Sequence, residues 1–409
     1  MREGKLSEFI KIIGGGTPNR SKKDYWNGNI PWVSIDDFKG DERFIENSKE
    51  KISDLGLKNS STKLLKKNSI IISARGTVGK IIQLKKDMAF NQSCYGLEAN
   101  EEFLSNDFLY FLLKYHLTRI SSLTHGTTFN TIIRSTFDQI VVKIPSKEHQ
   151  KKILKILNNI DYKLANNKKI NTNLELIIKQ LFKSWFLDFD PVKAKVENKK
   201  NNLTKDIQNL FPDKLTSSNL GEKPKGWRVV RLDSLLKRIN DKFYKNEDWE
   251  KEKLIDLSRM PSNSISIYNS GFGDELSTSV RKFKKYDFLF GSIRPYFNKA
   301  GICPFNGVTN TSVFILSVIN KDYREFLYSY LFSDLIFKKS VQFSKGTKMP
   351  IISWNDFKNF ELILPQENVI KKFSEITKPF FEKILLNISE YKILHKLKYE
   401  LVPIINELQ

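Results

Sequence analysis

Residues 126–156, GTTFNTIIRSTFDQIVVKIPSKEHQKKILKI, and residues 346–376, GTKMPIISWNDFKNFELILPQENVIKKFSEI, lie 220 positions apart and align without a gap. Identities fall at Gly126/Gly346, Thr127/Thr347, Ile132/Ile352, Phe137/Phe357, Pro145/Pro365, Lys151/Lys371, Lys152/Lys372 and Ile156/Ile376. Eight matches in 31 positions are about four times the chance expectation from average residue usage. The chain therefore reads as two copies of one unit.

Upstream the match continues with drifting spacing. Lys66-Lys67-Asn68-Ser69-Ile70 faces Lys284-Lys285-Tyr286-Asp287-Phe288, Arg75 faces Arg294, and Asn91 faces Asn310. Drift ahead of a fixed-spacing segment predicts a domain with loops of its own, followed by a stricter element. Apolar runs at 69–73, 140–144, 288–290, 313–318 and 360–364 alternate with turn residues and with a helical pattern over 103–115. That mixture predicts an α+β fold rather than a regular parallel sheet.

Downstream, Pro145 and Pro365 each punctuate the chain before a helical period begins. Alternating steps of four and three from Ile153 reach Leu157, Ile160, Leu164, Asn167, Asn171, Leu174, Ile178, Leu181 and Trp185, a coiled-coil seam with two central asparagines. A second stripe runs through Phe373, Ile376, Phe380, Ile384, Ile388, Tyr391, Leu394 and Leu401. Pro379 and Pro403 count against an unbroken helix there, each removing a backbone donor at about 3 kcal/mol, yet a helix is still expected. Both apolar stripes are expected to continue onto a partner's helices. Residues 191–225, rich in Lys, Asn and Ser and holding Pro191, Pro212 and Pro224, read as a linker with one short helix near 203–210. The expected organisation is a first domain over 1–147, a spacer helix over 148–190, the linker over 191–225, a second domain over 226–366 opening at Gly226-Trp227, and a second spacer helix over 367–409.

At 409 residues, with 40% hydrophobic, 12% aromatic and 28% charged side chains, the chain can bury two or three cores and is too apolar for a disordered tail. Lys and Arg outnumber Asp and Glu by 68 to 46, a net +22 with a pI near 9.6. A surplus of that size calls for an anionic partner or a strong reason for self-repulsion, and nucleic acid is the leading candidate. The longest apolar candidate, 109–113, is too short to span a membrane, and the N-terminal MREGKLSEFI carries no signal-peptide core. Cys94 and Cys303 lie 209 residues apart, which supports neither a zinc site nor a disulfide framework and points to a cytoplasmic home. His116, His125, His149 and His395 also lack ligand spacing.

Catalytic readings lack their residues. A DNA adenine methyltransferase needs an Asn/Asp-Pro-Pro-aromatic loop, and no Pro-Pro pair occurs. Gly271-Phe272-Gly273 reads as a turn rather than a cofactor loop, and Thr77-Val78-Gly79-Lys80 fails as a phosphate loop because Ala74 and Ile81 replace the glycine and the Ser/Thr it needs. Asp36-Asp37 and residues 250–252 read as solvated charge. No catalytic residue and no metal ligand is expected.

Polar loops remain that can touch DNA. Gly15, Gly16, Thr17, Asn19 and Arg20 combine flexible backbone with hydroxyl, amide and guanidinium groups. Arg75 and Thr77 follow a strand, while Asn91 with Gln92 and Thr127 with Thr128 form polar turns between apolar runs. Arg can pair with guanine and Asn or Gln with adenine in a major groove; turn bonding is the competing role for Asn91 and Thr127. The second-copy equivalents are Arg294, Asn310, Thr311, Lys345, Thr347 and Lys348. The rod from Ile153 to Trp185 measures about 50 Å at 1.5 Å per residue. Two readers held at that distance would contact one DNA face roughly one to one and a half turns apart.

These residues resemble the specificity subunit of type I restriction-modification systems, over essentially the full chain. The resemblance rests on Gly15-Gly16-Thr17-Pro18, Tyr25-Trp26-Asn27-Gly28 with Ile30-Pro31-Trp32-Val33, Ser73-Ala74-Arg75-Gly76-Thr77-Val78-Gly79, Phe90-Asn91-Gln92-Ser93, Gly126-Thr127-Thr128-Phe129-Asn130, Leu181-Phe182-Lys183-Ser184-Trp185-Phe186, Asp188-Phe189-Asp190-Pro191 and Gly221-Glu222-Lys223-Pro224-Lys225-Gly226-Trp227, in this order. It implies two similar α+β target-recognition domains, related by a pseudo-two-fold internal repeat and separated by two long antiparallel coiled-coil helices. It implies a noncatalytic subunit that reads a bipartite double-stranded DNA target. The implied partners are two modification subunits, which methylate adenine N6 from S-adenosylmethionine, and restriction subunits, which translocate and cut DNA with ATP and Mg; this chain itself would hold no cofactor. The second domain departs from the pattern: it has Ser292-Ile293-Arg294-Pro295, lacks a Gly-Gly-Thr-Pro loop, and carries Met349-Pro350 in place of Phe129-Asn130.

Two other classes compete. A self-contained methyltransferase or nuclease would turn over without partners. A basic helical scaffold for acidic proteins would bind DNA weakly and without salt sensitivity, whereas phosphate contacts make binding fall steeply as salt rises.

Overall fold

Ile70, Ile71 and Ile72 have no exposed surface, as β-branched side chains do in the middle of a sheet covered on both faces. Their strand, Ile70–Ser73, is the centre of a five-stranded sheet ordered Ile10–Gly14, Cys94–Ala99, Ile70–Ser73, Ile81–Leu84 and Phe44–Ile45. The computed structural model describes residues 2–38, 42–124, 131–242, 248–276 and 279–407, and the chain forms two units, 1–163 with 394–409 and 164–393.

In the first unit a four-stranded sheet ordered Glu50–Ile52, Trp26–Val33, Met88–Phe90 and Leu64–Leu65 accompanies the five-stranded one. The apolar run 109–113 lies in the helix Asn106–Thr124 and is buried in the core with Ile70, Ile72 and Leu97. The opening strand Arg2–Lys5 pairs antiparallel with Val141–Ile144, the last strand before the first long helix.

The second unit repeats this plan. Its main sheet is ordered Leu236–Ile239, Val313–Val318, Phe288–Gly291 and Ala300–Ile302, a second four-stranded sheet accompanies it, and Arg228–Arg231 pairs antiparallel with Glu361–Leu364 before the second long helix. Single bonds repeat as well: Leu6 N–H donates to the Ile140 carbonyl at 2.8 Å and Leu232 N–H to the Phe360 carbonyl at 2.9 Å. The α+β expectation holds, and the duplication is a duplication of fold.

The long helices are α1, Lys147–Phe182, and α2, Glu367–Glu407. Pro379 does not break α2 and sits on its exposed side. In the second unit the two run antiparallel: Asn167 donates to Glu390 at 2.9 Å, while Asn171 bonds Asn387 and, farther along, the Ile384 carbonyl. In the first unit Lys398 is paired with Asp161, and Leu401 packs on the core that contains Leu157.

Two expectations are corrected. The seams are not left for a partner. Leu157, Ile160, Leu164, Ile178, Trp185, Phe373, Ile384 and Ile388 are buried within the chain, and Ile153, Leu174, Leu181, Ile376, Phe380, Leu394 and Leu401 are half-buried, because the stripes face one another or the sheet-bearing domains. Residues 191–225 are not an open tether either. They carry the helices Asp190–Val196 and Lys205–Asn209 and the hairpin of Leu215–Ser218 with Gly221–Pro224. Phe211 anchors them, its ring 5.0 Å from that of Trp185 at a right-angled edge contact. Around it a π-turn, Lys183–Leu187, presents Trp185 and Phe186 to Trp227, Phe326 and Phe373. Aromatic burial of this kind dominates local core energetics, so the segment is part of the second unit's core.

Candidate nucleic-acid interface

Antiparallel pairing brings several polar loops to one end of each main sheet. In the first unit, strand 10–14 ends where strand 94–99 begins and strand 70–73 ends. Residues 15–20, 91–93 and 74–77 therefore emerge together. Ala74 N–H donates to the Ser93 carbonyl at 2.8 Å, Ile132 N–H donates to the Ala74 carbonyl at 2.9 Å, and the Asn91 side chain accepts from Ser93 N–H at 3.1 Å.

The second unit has the same three bonds. Ser292 N–H donates to the Ser312 carbonyl at 2.9 Å, Ile352 N–H to the Ser292 carbonyl at 3.0 Å, and the Asn310 side chain accepts from Ser312 N–H at 3.0 Å. Asn91 and Asn310 thus both close Asx-type turns and shape the loop on which Gln92 or Thr311 stands exposed. Here Lys345 and Ile351 exchange backbone bonds of 2.9 Å each way, closing a finger whose tip carries exposed Thr347, Lys348 and Met349. Gly346 turns it with a φ of +104°, a region that favours glycine.

These bonds shift the pairing read from sequence. Ser292 stands where Ala74 stands, so Ile293 corresponds to Arg75, and Arg294 corresponds to Gly76. Backbone geometry agrees: Gly76 has a φ of +73° and Arg294 a φ of +49°. The reason is loop length. The bond closing the loop runs from Ser73 N–H to the Lys80 carbonyl in the first copy and from Gly291 N–H to the Lys299 carbonyl in the second, one residue more. Arg75 and Arg294 are both exposed, but they leave the backbone from different places.

Other residues serve the fold. A side chain on Gly15 would overlap the Asn91 carbonyl, and one on Gly16 would overlap Ser61 and Thr62. Gly16 N–H donates to the Phe90 carbonyl at 3.0 Å, and the Gly16 carbonyl accepts from the Trp32 indole at 3.0 Å. The Thr17 hydroxyl donates to the Gln92 side chain. The Asn19 side chain accepts from Ser21 N–H and hydroxyl at 3.0 and 2.8 Å. Arg20 forks onto both Glu50 carboxylate oxygens and lies 3.9 Å over the Trp26 ring, and its guanidinium holds the Glu50 carboxyl below its usual range. Thr77 is exposed beside Arg75; Thr127 and Thr128 lie outside the described residues.

Two buried polar groups that sequence reasoning missed fasten the sheet-bearing domains to the helices. Arg43, its side chain 4% exposed, reaches Asp107 at 2.5 Å and Asp161 at 3.1 Å, with Asn158 and Gln83 at 2.7 and 2.8 Å. Glu175 accepts from the Ser264 and Ser266 hydroxyls at 2.9 and 2.5 Å, and burial raises its pKa despite those bonds. The only trace of either in the sequence is a charge at a seam-facing position of a helix, at Asp161 and Glu175. Among the described residues no group of His, Cys, Asp and Glu could hold a metal ion, and no helix is long and apolar enough to cross a membrane.

A duplicated sheet with a duplicated loop cluster matches one family twice. The profile of the type I restriction modification DNA specificity domain fits residues 1–176 and again 224–398. The chain belongs to the specificity-subunit family of type I restriction-modification systems. The specificity subunit of the type I restriction enzyme MjaIX from Methanocaldococcus jannaschii is 28% identical over 412 residues, covering 98% of this chain and 91% of that protein. The HindI specificity subunit of Haemophilus influenzae is 24% identical over 454 residues, covering 96% and 97%. A crystal structure of the S subunit of a type I system from M. genitalium shares the fold, with a TM-score of 0.56 at 16% identity over 99% of this chain and 96% of that one. As a type I specificity subunit with two recognition domains, the chain works within a complex of other subunits and DNA. In this specificity subunit the glycine and tryptophan motifs of the first domain, from Gly15 to Trp32, build the loop's support.

Proposed function

We propose that this specificity subunit binds double-stranded DNA with a split target, each unit's loop cluster contacting one half, and that it docks two modification subunits and the restriction subunits. Methyl transfer from S-adenosylmethionine and ATP- and magnesium-driven translocation and cleavage belong in this reading to those partners. The chain itself is assigned no cofactor, no metal and no catalytic residue, and a cytoplasmic home.

The observation that carries the reading is the repeated set of three bonds that sets an arginine-bearing loop beside an asparagine turn in each unit. Arg75, Thr77 and Gln92 in the first unit and Arg294, Thr311, Lys345, Thr347 and Lys348 in the second are the exposed groups whose chemistry suits phosphates and base edges. The net charge of +22 supports an anionic partner of that kind. Subunit docking is assigned to the apolar side chains left outside the seams: Ile156 and Tyr162 in the first unit, Leu176, Ile177, Leu386 and Ile393 in the second, each between 45% and 73% exposed.

The test is a gel shift of the chain assembled with its modification subunits, on duplexes in which one half of the methylated motif is scrambled at a time. Loss of affinity from scrambling either half, with affinity falling steeply as salt rises, is expected. Indifference to one half, or methyl transfer by the chain alone, overturns the reading.

A further inference from the structure

We infer that Tyr296 and Phe297 form an aromatic wedge that enters the base stack of the half-site contacted by the second unit. The inference rests on the DNA-binding reading above and assigns residues that reading leaves aside.

The turn Pro295–Phe297 is held between two left-handed residues that are not glycine, Arg294 at φ +49° and Asn298 at φ +50°. Such backbone persists only where its surroundings fix it, and it concentrates at functional sites. The surroundings here are explicit. Arg294 N–H donates to the Pro350 carbonyl at 2.7 Å, Phe297 N–H to the Arg294 carbonyl at 3.0 Å, and the Asn298 amide to the Asn263 side chain at 2.8 Å. The fixed turn does not bury its aromatics. Tyr296 is 49% and Phe297 44% exposed, and the two rings pack on each other with centroids 4.6 Å apart.

The neighbouring finger adds Met349 and Ile351, 47% and 40% exposed, tied to the same loop by the Ile293–Ile351 bridge. An apolar tip of this make-up suits burial against a partner. Its charge selects which partner. Arg294, Lys345 and Lys348 are exposed on residues 292–299 and 343–351, Lys299 donates to the Leu257 carbonyl, and neither stretch contains a carboxylate, so the tip carries positive charge on both loops, as suits a polyanion. Phe and Met are also side chains that unstack base steps when pressed into a duplex. The corresponding stretch of the first unit, Thr77-Val78-Gly79, has no aromatic residue, so the wedge acts on one half-site only.

The experiment uses the chain assembled with its modification subunits and a duplex carrying the motif mapped from methylated adenines, with 2-aminopurine placed in turn along each half. Binding is expected to raise fluorescence at one step of one half. Tyr296→Ala with Phe297→Ala should abolish that rise and weaken cognate binding by about tenfold, with Phe297→Leu restoring part of both. Cognate binding with no fluorescence rise in either half overturns the wedge and leaves the DNA-binding reading standing. Failure of the double variant to assemble, its DNA binding intact, makes the tip a protein contact and overturns the wedge. Absence of any motif-dependent binding by the unsubstituted complex overturns both.

Discussion

The side-chain amide of Asn387 donates to the side-chain oxygen of Asn171 at 2.8 Å, with both residues buried between α1 and α2 in the second unit. The amide of Asn171 in turn reaches the Tyr268 hydroxyl at 2.8 Å and the Ile384 carbonyl at 3.2 Å. One asparagine thus joins both helices to the 264–268 segment of the recognition domain. A polar pair inside an apolar seam fixes register, since any slip leaves buried amides unbonded. Asn171→Leu is expected to lower stability by about 1–3 kcal/mol through the groups it strands. Urea unfolding of the isolated variant measures this, and an unchanged midpoint contradicts it.

Glu175 predicts a pH signature. Burial raises its pKa in the folded chain above that in the unfolded chain, so the folded state binds the proton more tightly. Its stabilising contribution is complete below the ordinary glutamate pKa and is lost as pH rises through the raised value. Glu175→Gln removes this dependence while keeping the shape. The variant should melt above the parent at about pH 8 and lose that advantage on acidification to about pH 5. A difference in melting temperature that does not vary with pH contradicts the assignment.

Arg43 supplies the corresponding fastening of the first unit. Removing it by Arg43→Met leaves Asp161, 10% exposed at its side chain, with Lys398 as its remaining ionic partner. Breaking a buried pair from one side costs about 3 kcal/mol, and denaturant titration of the variant should show a loss of that order. A loss no larger than a surface pair gives, below about 1 kcal/mol, contradicts it.

The repeat was legible because it is carried by local signals. Pro145 and Pro365 precede the helices, and Ile132 and Ile352 make equivalent backbone bonds to Ala74 and Ser292. The heptad seam was legible for the same reason, since burial follows the spacing from Leu157 to Trp185. Long-range chemistry was not. Glu175 meets Ser264 across 89 positions and Arg43 meets Asp161 across 118, and no local pattern predicts which charge a fold encloses. The site was legible as loops and less so as atoms. Nothing local to Arg20 foretells that Glu50 pairs with its guanidinium, and Arg294 looks like the counterpart of Arg75 until the longer loop of the second copy shifts it by one.

That shift bears on readout. Arg75→Ala and Arg294→Ala are each expected to weaken recognition of one half-site by about 1–3 kcal/mol where the arginine is bidentate to guanine. Competition binding against duplexes altered in one half at a time separates the two. An equal loss on the motif and on random DNA would make either residue a phosphate contact.

The central claim is that two recognition units in one chain specify two separate pieces of DNA sequence. Its most direct test is to express the chain with its modification partners in cells lacking other adenine methylation and to map the modified adenines across the genome. The account predicts one motif in two parts with an unspecified stretch of constant length between them, in which exchanging residues 226–366 for the second domain of a relative alters one part and leaves the other unchanged. A single uninterrupted motif, or an exchange that alters both parts, contradicts it.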